Sequence, residues 1–429
     1  VQNTVSMSIW RLSISALPQA EQTLFSLHRL LRQSPVSKES TMSEFIKPFE
    51  FTTVPSILVE WEGARRLGEI LAGRFSERNV LIVTDGGLVK AGLLEPVEQS
   101  LRSHGFEVAV FDRVVADPPQ ALVLESVQRA KDHQTSLVIG LGGGSSLDVA
   151  KITAVLANSS QELSGLYGID NVRGQRLPLV QIPTTAGTGS EVTNISILTT
   201  GETTKMGVVS RQLYCDFVLL DAQLTVGLPA THTAATGIDA MVHAIEAYTS
   251  QHKKNPLSDA LAREALRLIS GQLVIACRDG SNRKAREAVL LGATLAGQAF
   301  SNSPVAAVHA LAYPLGGHYH IPHGLSNALM LGAVLRYNAK QAAPLYAELA
   351  DVLNVGAGGD IQTRCGAFIE EMIRIMDESG APRRLRDVGV AEDTLPLLAS
   401  DAMKQTRLLI NNPVEVSEAD ALDLYRQAF

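Results

Sequence analysis

Cysteine is nearly missing from this chain, with three among 429 residues. Cys215, Cys277 and Cys365 are far apart and odd in number. That excludes a disulfide framework and a CxxC metal site, and it points to a reducing, cytoplasmic setting. An excess of positive charge is missing too. The formal net charge is −7, which argues against nucleic acid or an acidic membrane surface as a general partner. No run of 18 or more apolar residues occurs, so no membrane-spanning helix is expected. There is no internal repeat and no low-complexity tract. What remains is a chain with 45% hydrophobic and 19% charged residues, globular and long enough for two domains.

The first 41 residues stand apart. The chain opens on Val1, and this stretch has only Glu21 and Glu39 as acids against Arg11, Arg29, Arg32 and Lys38. A mitochondrial presequence shares that balance. The reading preferred here is a disordered leader, or a segment carried over from upstream of a natural start at Met42.

From Met42 to residue 228, short apolar runs alternate with helical spacing. Asn79–Thr84, Glu107–Phe111, Ser136–Leu141 and Pro178–Ile182 read as strands, with helices at Leu93–His104 and Ala121–His133 between them. Such alternation implies right-handed crossovers and a parallel sheet, the α/β class. Beyond Leu228-Pro229 apolar residues recur every three or four positions. Helices are expected near 231–250, 256–276, 283–300, 304–313, 324–337, 339–353 and 361–379, with no sustained strand. Residues 229–429 are therefore expected to form a helical domain.

Three stretches of the first half carry candidate chemistry. Gly140-Leu141-Gly142-Gly143-Gly144-Ser145-Ser146-Leu147-Asp148 joins the third strand to the next helix. Glycines let backbone approach a pyrophosphate, and a helix start offers free N–H groups and a positive dipole end. The stretch is neither GxGxxG nor a P-loop. The plainer alternative is a tight turn with Ser145 as N-cap and Asp148 as its capping-box partner. Asp85 ends the first strand, where a carboxylate can accept from a ribose diol and repel a 2′-phosphate, favouring NAD over NADP. Its plainer alternative is a turn residue before Gly86-Gly87. Pro183-Thr184-Thr185-Ala186-Gly187-Thr188-Gly189-Ser190 is a hydroxyl-rich loop after the fourth strand. It can donate to phosphate or carboxamide oxygens, or serve only as a turn with Ser190 as helix cap.

The second half carries one carboxylate and three imidazoles in a suggestive pattern. Asp239 and His243 are four apart on a predicted helix, so they share a face about 6 Å apart. His309 and His323 are separated by Pro314, Gly316, Gly317 and Pro322, and must sit on segments that fold back toward each other. Such ligands suit Fe(II), Zn(II), Co(II) or Mn(II), and ligand type alone does not choose. Most of the ten histidines need no role; His28, His104, His133, His232 and His252 read as surface or core residues. His318 and His320 flank the site as candidates for supporting or pocket groups.

Taken together, these stretches resemble the iron-containing (group III) alcohol dehydrogenase family. The matching motifs are Gly142-Gly143-Gly144-Ser145 with Asp148 and Lys151, and Pro183-Thr184-Thr185-Ala186-Gly187-Thr188. They continue as Gly237-Ile238-Asp239 with His243-Ala244-Ile245-Glu246-Ala247-Tyr248, then His309 with Pro322-His323-Gly324. The similarity runs from about Phe49 to the C-terminus. It implies a Rossmann-like parallel-sheet domain at 42–228, an all-helical metal-binding domain at 229–429 in the dehydroquinate synthase-like arrangement, and a cleft between them. It implies metal ligation by Asp239, His243, His309 and His323, with Fe2+ as the expected metal and Zn2+ as the alternative. It implies cofactor contacts at Asp85, Gly142, Gly143, Gly144, Ser145, Thr184, Thr185, Thr188 and Lys205, with Asp148 in the same motif. The implied reaction is reversible hydride transfer between an alcohol, or a small hydroxy compound, and NAD(P)+, the metal polarising the substrate oxygen. The partner is then a small alcohol or aldehyde, and the assembly a homodimer.

One departure matters. Many members carry a second histidine four residues after the His309 equivalent, where this chain has Tyr313. A tyrosine hydroxyl can pass a proton along a hydrogen-bonded chain but is a poor base near pH 7. Rival readings are a hydroxyacid–oxoacid transhydrogenase, a dehydroquinate synthase-like lyase, a metallohydrolase and a purely structural metal site. The lyase would need a basic phosphate pocket that these segments lack, and the hydrolase leaves the glycine turn and Asp85 unexplained.

Overall fold

Several apolar runs in the first half are buried on both faces, the mark of strands inside a parallel sheet covered by helices. The computed structural model describes residues 48–201 and 204–429; the expected leader at 1–41, with His28, and Met42 lie outside the described residues. Phe49–Phe429 forms one compact unit. Its first half runs β1 (Ile57–Val59), α1 (Leu67–Ala72), β2 (Asn79–Asp85), α2 (Gly86–Lys90), α3 (Leu94–Ser103), β3 (Glu107–Val114), α4 (Gln120–Asp132), β4 (Leu137–Gly142) and α5 (Gly144–Ala157). It continues with β5 (Gly168–Ile169), β6 (Leu179–Pro183), β7 (Ile195–Thr200), β8 (Thr204–Val209) and β9 (Phe217–Leu220).

Six strands form a parallel sheet in the order β1-β9-β6-β4-β2-β3. Side chains alternate across it. Val80 and Ile82 pack with Leu67, Leu71, Val97 and Leu101 on one face. Leu81 and Val83 pack with Val123, Val127, Val149 and Ile152 on the other. Two of the sheet strands, β1 and β9, are apolar runs too short to register as strands by pattern. The antiparallel hairpin β7–β8 with β5 makes a separate three-stranded sheet. The order has one functional consequence. From β2 the chain moves outward to β3 and then returns to β4 on the other side of β2. That reversal opens a crevice between the carboxyl ends of β2 and β4, the switch point at which open α/β sheets bind ligands.

No strand follows Leu220 among the described residues, as the periodicity implies. The second half runs α6 (Ala230–Thr249), α7 (Pro256–Arg278), α8 (Arg283–Asn302), α9 (Ala307–Tyr319), α10 (His323–Leu353), α11 (Ile361–Ser379), α12 (Leu395–Ala402), α13 (Thr406–Leu409) and α14 (Glu418–Ala428). Helix α6 is central, with every residue from Gly237 to Thr249 buried. The helices expected at 324–337 and 339–353 are one, α10. Buried Asn338 does not break it, because its amide pairs with Asn412 at 2.8–2.9 Å. Helix α9 begins later than expected and continues through Pro314 to Tyr319, without the hydrogen bond that proline cannot donate. The break between His309 and His323 falls instead at His320-Ile321-Pro322, where His320 ends α9 in the left-handed conformation (φ 54°).

Candidate active site

Helices α6, α9 and α10 bring the four expected ligands together. Asp239 and His243 lie one turn apart on α6, His309 is in the first turn of α9, and His323 opens α10. The Nε2 atoms of His243, His309 and His323 lie 3.8, 3.8 and 3.7 Å from Asp239 Oδ1. All four ligand atoms fall within 4.8 Å of one another, close enough for small side-chain shifts to bring them to about 2.0–2.2 Å from a shared central ion. Close helix contact makes this possible. A Cβ on Gly324 would lie 2.4 Å from the Ala235 carbonyl oxygen, so glycine beside His323 lets α10 press against α6.

The electrostatics favour a cation. Burial depresses His243 to about 3 and His323 to about 4, despite the opposing pull of Asp239, so both imidazoles are neutral ligands at pH 7. Burial alone would raise Asp239, but the pull of the three imidazoles in their protonated forms, with the Asn327 hydrogen bond, holds the carboxyl below its ordinary value. A buried carboxylate among neutral rings is costly unless a positive partner joins it. His243 is stacked between Phe300 and His309, with ring centroids 4.3 and 4.7 Å away. The residues present fit a divalent transition metal.

Two residues outside the predicted ligand set support it. Glu246, one turn beyond His243, accepts from His309 Nδ1 at 2.7 Å and from the backbone N–H groups of Ala306 and Val308. It holds the proton on Nδ1 and leaves the Nε2 lone pair for a ligand bond. Asn327, one turn beyond His323, donates to Asp239 Oδ1 at 2.6 Å. Both follow a ligand at helical spacing, the one signal that pointed to them. His318 and His320 are not in the cluster; His318 pairs with Asp401 at 2.5 Å.

Tyr313 lies beside the ligands, its ring centroid 5.9 Å from that of His323. Burial raises its hydroxyl above the ordinary tyrosine range, with Asp239 and Glu246 adding to the shift and Arg407 opposing it. It keeps its proton at neutral pH.

The first-half residues gather at the switch-point crevice. Asp85 ends β2, and its Oδ1 accepts from Gly87 and Leu88, so the turn reading holds. Its Oδ2 faces β4, 3.5 Å from where a Cβ on Gly142 would lie. Gly142 has φ 155°, and any Cβ there would meet Ser146 Oγ at 2.6 Å, so the turn demands glycine. Helix α5 begins at Gly144 with Gly143 as N-cap and no side-chain cap. The capping box expected of Ser145 and Asp148 is therefore absent: the helix starts too early for Ser145 to cap it. Among the described residues, the first-turn N–H groups have no side-chain cap. Thr188 lies over Gly144 and Thr185 over Gly143, 2.8 and 3.4 Å from a Cβ placed there, and the Thr184 N–H donates to Gly142.

Asp148 faces elsewhere. Its carboxylate accepts from Ser190 Oγ at 2.6 Å and the Ile197 N–H at 2.8 Å, beside Lys151 Nζ at 3.4 Å. Lys151 is wholly buried and also donates to Ser190, Thr193 and the Ile195 carbonyl. Ser190 is thus tied into this network and is not a cap; Gly189 occupies the cap of the short turn it opens. These bonds anchor the threonine loop to α5. Lys205 lies toward the metal side, where its Nζ pairs with Asp117 at 2.6 Å and lowers His323.

Comparison with known proteins decides the family. The family model described as iron-containing alcohol dehydrogenase matches residues 55–222, and that of the Fe-containing alcohol dehydrogenase family, C-terminal, matches 233–429. The chain belongs to the iron-containing alcohol dehydrogenase family. Long-chain-alcohol dehydrogenase 1 of Geobacillus thermodenitrificans is 43% identical over 83% of this chain and 91% of its own. The 1,3-propanediol dehydrogenase of Klebsiella pneumoniae is 37% identical over 82% and 92%. Among solved structures, a 1,3-propanediol oxidoreductase superposes with TM-score 0.85 and 35% identity, covering 89% of this chain and all of that one. A sulfoacetaldehyde reductase from Bifidobacterium kashiwanohense in complex with NAD+ does so with TM-score 0.81 and 26% identity, over 89% and 99%. The chain is an iron-containing-type alcohol dehydrogenase that moves hydride between an alcohol and a nicotinamide cofactor. No helix among the described residues is long and apolar enough to cross a membrane.

Proposed function

We propose that the protein interconverts small alcohols and aldehydes with NAD, using Fe2+ held by Asp239, His243, His309 and His323, with Zn2+ as the alternative metal. The observation that carries this reading is the convergence of those four ligand atoms within 4.8 Å, in a fold that also exposes an uncapped glycine turn at its switch point. Bound there, a divalent metal supplies Lewis-acid polarisation of a substrate oxygen. Hydride transfer itself is the cofactor's chemistry.

The chain's own residues do the rest. Gly142, Gly143, Gly144 and Ser145 bind the pyrophosphate through backbone N–H groups, and Thr184, Thr185 and Thr188 cover it. The Oδ2 of Asp85 accepts from the ribose diol and excludes a 2′-phosphate, favouring NAD over NADP. Asp148 contributes through the loop it anchors, and Lys205 from the metal side. Tyr313 holds a proton beside His323 and acts as a relay, not as a base. We place the α/β dinucleotide-binding domain at 42–228, the helical metal-binding domain at 229–429, and the enzyme in the cytoplasm as a homodimer.

Metal analysis of anaerobically purified protein, paired with NADH absorbance across alcohols and aldehydes, tests this. His309→Ala or His323→Ala should lose bound metal and turnover together, and full activity in a metal-free His309→Ala protein overturns the reading. Turnover that needs a second oxoacid in place of free NAD would instead identify a transhydrogenase.

A further inference from the structure

Asn327 is fully buried on α10, one turn after His323. Its Nδ2 lies 2.6 Å from Asp239 Oδ1, 3.2 Å from His309 Nε2 and 3.3 Å from His323 Nε2. One amide group thus touches three of the four ligand atoms, each from a different helix. Its own Oδ1 is buried with no hydrogen-bond partner among the described residues, an arrangement that carries a cost and calls for a reason. The orientation follows from charge: turning the amide over would put its oxygen 2.6 Å from a carboxylate oxygen.

The three contacts are unequal in strength and in capacity. A carboxylate oxygen has two lone-pair directions, so Asp239 Oδ1 can accept the short amide bond and still face an ion. An imidazole Nε2 has one lone pair, and the two longer contacts yield when an ion takes it.

We propose that Asn327 is a positioning residue of the metal centre. Its amide donor fixes Asp239 Oδ1 at 3.7–3.8 Å from each of the three Nε2 atoms, and thereby sets the affinity and the ligand field of the bound ion. This assignment rests on the metal-dependent reading above. Outer-sphere partners of metal ligands are worth about 10–100-fold in metal affinity.

Co(II) added to the chelator-stripped full chain is the probe, read by chelator competition and by its visible absorption. Asn327→Leu keeps the volume and removes the donor; it should bind Co(II) about 10–100-fold more weakly with shifted visible bands. Asn327→Ser, which retains a hydroxyl donor, should recover part of both, which a merely structural role would not produce. If the leucine protein does not fold, Asn327→Ala is judged by the same two readouts. Parental affinity with an unchanged spectrum in the donor-less variant overturns the assignment alone. Failure of the parent chain to bind Co(II) overturns the metal-dependent reading along with it.

Discussion

At the scale of single residues, Glu246 shows how one side chain can serve two elements. Its carboxylate is buried, and three N–H donors satisfy it. Two of these are backbone groups at the start of α9, so Glu246 caps that helix from α6. The third is His309 Nδ1, at a charge-assisted distance. Glu246→Gln replaces one acceptor oxygen by a donor and must set an N–H against an N–H. The variant should lose about 10–100-fold in metal affinity and about 1–3 kcal/mol of stability, measured by chelator competition and urea denaturation. Parental metal retention would show that Glu246 does not hold the His309 tautomer. The ligands themselves were legible because Asp239 and His243 share a helical face. Glu246 stands three residues after His243 and still escaped, because its partner arrives from 63 residues along the chain and no local spacing encodes that pairing. Asn327 escaped for the same reason: its amide reaches Asp239, 88 residues earlier.

Among elements, the contact of α6 with α10 sets the metal geometry, and Gly324 sets that contact. A methyl group at 324 would approach the Ala235 carbonyl oxygen to 2.4 Å and its carbon to 2.9 Å, and backbone atoms cannot rotate away. Gly324→Ala should therefore push α10 outward, costing about 1–3 kcal/mol, and move His323 off the point it shares with Asp239. Weaker metal binding alongside a lower denaturation midpoint is the expected pair of results. A destabilised variant with unchanged metal affinity would separate the helix contact from the site. Element positions were largely legible where burial leaves a period, as in the buried strands β2, β4 and β6 and the amphipathic α7 and α8. They were less so where tertiary bonds override local signals. Pro314 and Asn338 look like breakers, yet α9 and α10 run through them because packing and the Asn338–Asn412 pair compensate. Ser145 looks like a cap, yet α5 starts at Gly144 because the glycine turn brings the backbone into helix before the serine is reached.

For the whole molecule, the buried site makes stability depend on pH in a direction that can be worked out. In the chelator-stripped protein, folding moves His243 from an ordinary value near 6.5 to about 3 and His323 to about 4. The unfolded chain then binds protons first as pH falls, so stability rises with pH across this window. The contribution is intact above about pH 6.5 and is lost as pH falls through 4 and then 3. Asp239, held below its ordinary 3.8, adds a loss of the same sign at the acid end. Glu191 works in the opposite sense. Burial raises its carboxyl, so its contribution is present below its ordinary 4.5 and is lost as pH rises. Asp221 and Asp259, also raised by burial, act with Glu191, but each opposes only between its ordinary and its folded value, whereas both imidazoles lose stability from about pH 6.5 downward. The urea midpoint of the stripped protein should therefore fall between pH 7 and pH 5, and a flat or rising midpoint would show that the histidines are not neutral in the folded state. Adding Zn2+ at 100 times its dissociation constant should raise stability at pH 7 by about 2.7 kcal/mol. Because metal binds only the deprotonated ligands, at fixed metal concentration that gain must shrink as pH falls. The loaded and stripped curves should converge toward acid, and curves that stay parallel would place the ion elsewhere than on Asp239, His243, His309 and His323.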